Sequence, residues 1–571
     1  MGTISDKLMR VINTKEDIRK ALISKGYDVP ASIPFKEYAK MILDLPCKID
    51  DFPELPGDVT RWHFGGLTNE MMAAMDDPRI EDADHKGRFL SFKNFAWKGM
   101  SGVGGYGDEN YQTFYKFTLD DYVFIASLHS VEYMNFTFRV TGLQPGNKLT
   151  LAFFGTTNTV YGTWDKDGIY TVNSAVVEVG KPVYFYNGYG ATRGEFTIEI
   201  LPLYPGFILG DGVDDFAVTE KELNFEDTYT VYTAFIPFQD NPTRNMILCG
   251  ADSKKTFSMQ YSSLVYVSFI AGNNYYINAD FVNGLNLFAC KRNGNNICIK
   301  NLLTNKVVTG TCGDWVENAG LYYLWKNATY ASFAKAAIAG QTICNGYFST
   351  DEDDEKVLNW YKKQYPWLFP DQAWTTVGKT NEDEDRATIA NITGNGNDLV
   401  LSNFGFIEGS GYNEEGEYAG YLVTDGVDDK VASVNAVTLN KDFTVVGEWR
   451  FKETEIRSNC GIVVERVLFV YNIPTGIRIY IHEVGGNFTE LQNIKSLKAI
   501  CSNGIVYDEN WNPISVKVGS LEEYSNKLLL GYLSKLFTQI AFKNMSIYSN
   551  QLLSKDDCIK AYNYLQTLKS K

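Results

Sequence analysis

The chain has 571 residues, with Lys+Arg 53 against Asp+Glu 69 and a formal net charge of −16. That length corresponds to about three to five domains, and a 44% hydrophobic content excludes a chain that is disordered overall. An acidic surface excludes broad electrostatic nucleic-acid binding, while 14% aromatics, 49 Gly and only 4 His favour β-sheets and turns over a His-built metal enzyme.

The first 45 residues read as helices. Leu8, Val11 and Ile12 share one face, as do Ile18, Ala21 and Leu22. Thr14 with Asp17 forms a capping box and Gly26 a C-terminal stop. A third short helix carries Phe35, Tyr38, Ala39 and Ile42 after Pro34. Helices this short bury little alone, so they are expected to pack on copies of themselves or on a partner, with a three-helix cap on the next domain as the plainer arrangement. The start Met1-Gly-Thr-Ile-Ser-Asp-Lys has no apolar run of the signal-peptide kind, and no window reaches the ~18 apolar residues of a membrane span. A soluble product made in a cytosol is the expectation. The nine cysteines (Cys47, Cys249, Cys290, Cys298, Cys312, Cys344, Cys460, Cys501 and Cys558) lack any CxxC pair and are read as buried, reduced thiols.

Beyond a linker bearing Pro46 and Pro56, strand-like runs dominate, such as Phe136-Thr-Phe-Arg-Val140 and Lys148-Leu-Thr-Leu-Ala-Phe-Phe154. Two blocks then repeat. Gly87–Gly102 aligns without gaps to Gly396–Gly411, placing Asn94-Phe95 on Asn403-Phe404, and Gly206–Asp215 (GFILGDGVDD) aligns to Gly420–Asp429 (GYLVTDGVDD). Trp62 with Thr68-Asn69-Glu70 matches Trp374 with Thr380-Asn381-Glu382. The first block shifts by 309 residues (87 to 396) and the second by 214 (206 to 420), so the first copy carries about 95 extra residues. Each copy closes with a capped helix, Thr350 with Asp353 before Val357, Leu358 and Tyr361, and Ser554 with Asp557 before Ile559, Tyr562 and Leu565. The expected layout is a helical attachment or oligomerisation segment at 1–45 and a linker at 46–61. A first module at 62–366 with an inserted β-sandwich at about 108–204 follows, then a connector at 367–373 and a second module at 374–571.

The DGVDD turn followed by Leu223-Asn224 and Thr230-Val231, and by Leu439-Asn440 and Thr444-Val445, resembles the opening of bacterial laminin-G-like, concanavalin A-like lectin/glucanase domains. The resemblance covers roughly 206–365 and 420–568 and implies a mainly β fold of tandem jelly-roll sandwiches. Ile4–Leu43, with Lys15-Glu-Asp-Ile18, Gly26-Tyr-Asp-Val29 and Phe35-Lys-Glu-Tyr-Ala39, resembles the attachment segment of phage tail-fibre proteins. The whole layout is similar to virion fibre proteins of tailed phages infecting gut Bacteroidales. That resemblance implies a non-enzymatic virion structural protein, a head or tail fibre. It would be held to other virion proteins and to copies of itself through the N-terminal helices, and would adhere to host-surface glycans without nucleic acid or membrane insertion. A bacterial lectin or adhesin, and less so a glycoside-active enzyme, are the alternatives.

The residues offer few sites. Glu195-Phe-Thr-Ile-Glu199 puts two carboxylates on one strand face, as a glycosidase needs, but Thr197 stands at the middle acidic position. A solvated strand face fits better. His63, His85, His129 and His482 are far apart, and Asn381-Glu-Asp-Glu-Asp385 reads as a charged surface turn. Laminin-G-like relatives sometimes hold Ca2+, for which Asp211, Asp214 and Asp215, with Asp425, Asp428 and Asp429, are the repeated acidic positions. An Asp-Gly turn whose neighbouring Asp caps backbone amides is the favoured reading, and no cofactor is called for. Asp165-Lys-Asp167-Gly168 fits a hairpin turn better than a calcium loop. Aromatic clusters at Tyr184–Gly190, Asn158–Trp164 and Tyr322-Tyr-Leu-Trp325 are sugar-platform candidates, with sheet core as the commoner use of such rings. No glycan-binding residue can be singled out from them.

Overall fold

The computed structural model describes residues 52–568 with breaks, the longest at 96–115, so the helices expected within 1–45 lie outside the described residues. The described chain is mainly antiparallel β. In the first module one sheet runs, in spatial order, through Asp58–His63, Lys335–Asn345, Thr228–Pro237, Asn286–Asn293, Asn296–Asn301 and Lys306–Thr311. The facing sheet includes Ser258–Tyr261, Met246–Ala251, Tyr322–Leu324, Phe216–Thr219 and Phe89–Lys93. Trp62, Phe92, Val231, Phe288, Met259 and Trp325 fill the space between them. The second module repeats the plan. Gln372–Thr375, Ile540–Tyr548, Thr444–Phe451 and Leu497–Cys501 lie in one sheet, and Leu399–Ser402, Lys430–Ser433, Leu528–Leu530, Asn459–Val464, Leu468–Ile473 and Gly476–Ile481 in the other. Alternation of inward and outward side chains along each strand is what lets two such sheets share one core.

Among the described residues, the strands between Lys116 and Leu201 pair with one another in two four-stranded sheets. Two boundaries differ from the sequence expectation. The first sandwich already starts at Asp58, inside the stretch expected as linker, and Gln372 and Ala373 of the expected connector pair with Ile547 and Ser546. Prolines mark where local structure is interrupted, but these edges are set by pairing with strands that lie far along the chain.

Several hydrogen bonds of the repeat are preserved in both copies. Trp62 and Trp374 are both fully buried, and each indole N–H donates to the carbonyl of an aligned residue, Arg88 at 3.1 Å and Asn397 at 2.9 Å. Asn94 and Asn403 take the left-handed conformation at φ 70° and 68°. Asn tolerates this region better than any residue except Gly, which explains why both copies carry it. Thr219 and Ser433 accept the backbone N–H of Tyr322 and Leu528.

Each module closes with a helix, α1 (Asp351–Gln364) and α2 (Lys555–Thr567). Thr350 and Ser554 cap them by accepting the amides of Asp353 and Asp557, as the spacing predicts. α1 also has acidic residues in its first turn and Lys362 and Lys363 in its last, which suits the helix dipole. The same hydroxyl orients both helix starts. Thr230 donates to Tyr347 O and accepts from Ser349 N, while Thr444 donates to Gln551 O and accepts from Leu553 N. The hydroxyl of Tyr564 on α2 crosses to the first module and accepts the backbone N–H of Leu285 at 2.8 Å. Among the described residues no helix is long and apolar enough to cross a membrane.

Candidate functional site

Among the described residues, a partly exposed aromatic surface lies on the second module, on the face of its second sheet turned away from the core. The hairpin Leu468–Ile473/Gly476–Ile481 explains it. Leu468, Val470, Ile477, Ile479 and Ile481 point into the core, so Phe469, Tyr471, Arg478 and Tyr480 must point out. Phe469 stacks on Tyr471 with ring centroids 6.1 Å apart, Tyr471 meets Tyr480 edge-on at 5.5 Å, and Tyr480 meets Phe488 at 5.4 Å. Val463 and Leu529 extend the apolar floor. Arg478 lies 4.6 Å over the Phe488 ring and pairs with Glu490 on the next strand, whose hydrogen bond raises the guanidinium's already high pKa further. Phe488 is 36% exposed, and Tyr471 and Tyr480 are partly exposed. Flat rings beside a charged pair form the kind of surface on which a sugar ring stacks while its hydroxyls find polar partners.

Sequence reasoning missed this face. The alternation in Leu468-Phe-Val-Tyr471 and Arg478-Ile-Tyr480 was a usable signal, but only the sheet pairing shows which set of rings faces out.

The aromatic clusters that the sequence did single out fare differently. Tyr322, Leu324 and Trp325 are fully buried, and the Trp325 indole donates to Ala336 O at 2.8 Å, so this cluster is core and not a platform. Trp164 is partly exposed and packs edge-on against Phe138 at 4.8 Å, bracing the insert. Tyr184–Gly190 overlaps the strand Pro182–Asn187, and the structure describes none of its side chains.

The acidic candidates are built into turns. Asp425 Oδ1 accepts the amides of Val427, Asp428 and Asp429, and Asp429 accepts the Asp425 amide and the Ser410 hydroxyl. Asp425, Asp428 and Asp429 can each bring an oxygen within 4.8 Å of the others. Because the oxygens of Asp425 and Asp429 already satisfy backbone groups, the chemistry of the set is that of a self-capped turn more than of a Ca2+ cage. Burial, reinforced by Asp425 and Asp428, pushes the Asp429 carboxyl up to about 6. In the first copy Asp215 is likewise buried, while Asp214 lies outside the described residues.

Asp167 accepts the amides of Gly142 and Leu143 and so ties two loops. In the Asn381–Asp385 stretch, Asp383 caps Thr380 and Asn381 bonds the Tyr412 backbone in both directions. Glu195 lies outside the described residues, and Glu199 is placed only by its backbone, opposite Arg139 and Lys116. His63 is buried against Phe52 and Trp360, and burial with the nearby Arg61 lowers its pKa to about 3, which keeps it neutral. His85, His129 and His482 lie outside the described residues.

One carboxylate group escaped notice in the sequence. Glu448, buried beneath α2, accepts the hydroxyls of Tyr421 and Tyr562 and the Gln566 amide, and Lys543 stands 3.9 Å away. Burial pushes its carboxyl up, but Lys498, Lys543 and the two hydroxyls outweigh that and hold it at about 2. Desolvation lowers Lys498 to about 8. Enclosed and fully bonded, Glu448 has the features of a structural anchor for α2, with no open side for a substrate.

No protein-family model matches the chain, and no curated relative matches it. Among solved structures it is similar to the receptor-binding domain of botulinum neurotoxin mosaic serotype C/D, at 9% identity over 61% of this chain and 89% of that one, with a TM-score of 0.27. A botulinum neurotoxin type C structure, whose cell entry depends on two ganglioside molecules, covers 58% of this chain and 86% of its own at 9% identity and a TM-score of 0.25. The VIP36 exoplasmic/lumenal domain bound to Ca2+ and Man3GlcNAc covers 28% of this chain and 87% of its own, at 9% identity and a TM-score of 0.21. Likenesses this distant carry no argument about what this chain binds.

Proposed function

We propose that this chain is a non-enzymatic structural protein of a phage virion, a fibre or fibre-like appendage whose β modules adhere to host-surface glycans. The observation that carries the adhesive part is the partly exposed run Tyr471, Tyr480 and Phe488, backed by the buried Phe469, with Arg478 and Glu490. Aromatic rings on a sheet face cost solvation unless they pack on something, and a sugar's apolar face suits them. The duplicated sandwich supports multivalency, since weak contacts repeated along a particle multiply into avidity. The virion assignment rests on the resemblance of the N-terminal segment and of the overall layout to phage fibres. An enclosed Glu448 and self-capped aspartates fit a binding protein better than a hydrolase.

The test combines a glycan array with the full chain and its Tyr480→Ala and Tyr471→Ala variants. Binding by the full chain that each variant weakens supports the reading. Unchanged binding in both variants moves the site elsewhere, and release of shorter sugars from a bound glycan overturns the non-enzymatic assignment. Immunogold labelling of purified phage particles tests the virion role, which an unlabelled particle refutes.

A further inference from the structure

The two modules anchor their closing helices differently at one equivalent point. Thr230 and Thr444 occupy the same place in the repeat, and their strand partners are Lys291 and Cys501. Asp354 and Cys558 sit in the first turns of α1 and α2, each four residues beyond the capping Thr350 or Ser554. In the first module Lys291 donates to Asp354 at 2.7 Å, with both side chains buried. In the second module the matching residues are two buried, unbridged thiols at the junction where the Thr444 hydroxyl bonds Gln551 O and Leu553 N at the start of α2.

We propose that Cys501 and Cys558 are a modification site, a dithiol that closes to a disulfide and staples α2 to its sheet. Cys501 lies on the strand beside Thr444 and Cys558 in the first turn of the helix that Thr444 orients, so a shift of α2 can bring the sulfurs to the roughly 2.05 Å of an S–S bond. A small-molecule disulfide such as oxidised glutathione is the oxidant. The Cys501 thiolate attacks one of its sulfurs and releases one glutathione thiolate. The Cys558 thiolate then attacks the Cys501 sulfur of the mixed disulfide and releases the second. The two cysteine protons end on the two glutathiones, which take up the two electrons. Because both sulfurs are buried, the reaction follows transient opening of α2. The staple reaches beyond the helix, since α2 carries the Tyr564 hydroxyl bonded to Leu285 of the first module. Oxidation therefore stiffens the joint between the modules.

The full chain, fully reduced, is incubated with oxidised glutathione and mapped without reduction. The expected result is a Cys501–Cys558 peptide pair, a mass loss of about 2 Da, and amide exchange across 555–567 slowed by about tenfold or more. Cys501→Ala and Cys558→Ala should each abolish both the linked peptide and the slowing. The proposal is overturned if the two cysteines end singly glutathionylated, pair with other cysteines, or stay alkylatable while the protein is held in mild denaturant that opens α2. Equal slowing in the alanine variants also overturns it.

Discussion

Under α1, the first module holds Lys291 against Asp354, with Lys300, Tyr232 and Ser349 completing the network. Under α2, the second module sets two thiols at that point and moves its charges about a turn further along the helix, to Glu448 with Tyr562 and Gln566. The first module has Ala234 where the second has Glu448, and Gly340 where the second has Asn544. Gly340 is needed there, because a Cβ would stand 2.6 Å from the His63 ring nitrogen. Backbone-facing bonds such as those of Trp62/Trp374 and Thr230/Thr444 are the same in both copies. What a duplication keeps, then, is the hydrogen bonding that fixes strand and helix positions. The polar groups beneath the helix are free to change, provided each buried charge finds partners.

The largest effect expected from breaking this comparison is at the helix anchors. Asp354→Ala strands Lys291 in the interior and should destabilise the first module by about 3–5 kcal/mol, whereas Cys558→Ala should cost the reduced second module about 1 kcal/mol. Urea unfolding followed by hydrogen exchange at each helix reads both, and equal losses would refute the asymmetry.

Acid should separate the modules next. Glu448 has its folded value lowered to about 2, so its stabilisation is present above about pH 4.5 and is lost as pH falls toward 2. Asp429 has its folded value raised to about 6, so the second module is favoured below about pH 4 and loses stability as pH rises to 6. The Glu448 limb is worth about 3 kcal/mol and the Asp429 limb, more open to solvent screening, about 2 kcal/mol. Melting temperature against pH should show Glu448→Gln flattening the lower limb and Asp429→Asn the upper one.

Smaller and symmetric effects are expected at the left-handed asparagines. Asn94→Ala and Asn403→Ala should each cost about 1 kcal/mol, while replacement by Gly should be nearly neutral. A clear inequality between the two positions in thermal denaturation would show that the repeat is less faithful than its hydrogen bonds. On the proposed glycan face, Tyr480→Ala should weaken binding by about fivefold while the melting temperature changes little, as ring-stacking contributions of about 1 kcal/mol imply.

Much of the fold was legible in the chain. The GFILGDGVDD/GYLVTDGVDD pair marked the repeat and the two helix caps were readable, because turns and caps depend on residues a few positions apart. The turn role of Asp425 and Asp429 was legible for the same reason. Less legible were the start of the first sandwich at Asp58 and the core role of Tyr322 and Trp325. Both depend on strands brought together from far along the chain. The dithiol was hidden in the same way, since Cys501 and Cys558 become neighbours only through the register of a strand and the docking of α2.

The sequence by itself determined the duplication, the β class of the chain, its acidity and the chemistry of its turns, all of which follow from local spacing and composition. Only the tertiary structure decided which rings face outward, which cysteines meet and which carboxylate lies trapped beneath a helix. Those outcomes turn on strand register, and a shift of one residue sends every side chain of a strand to the opposite face.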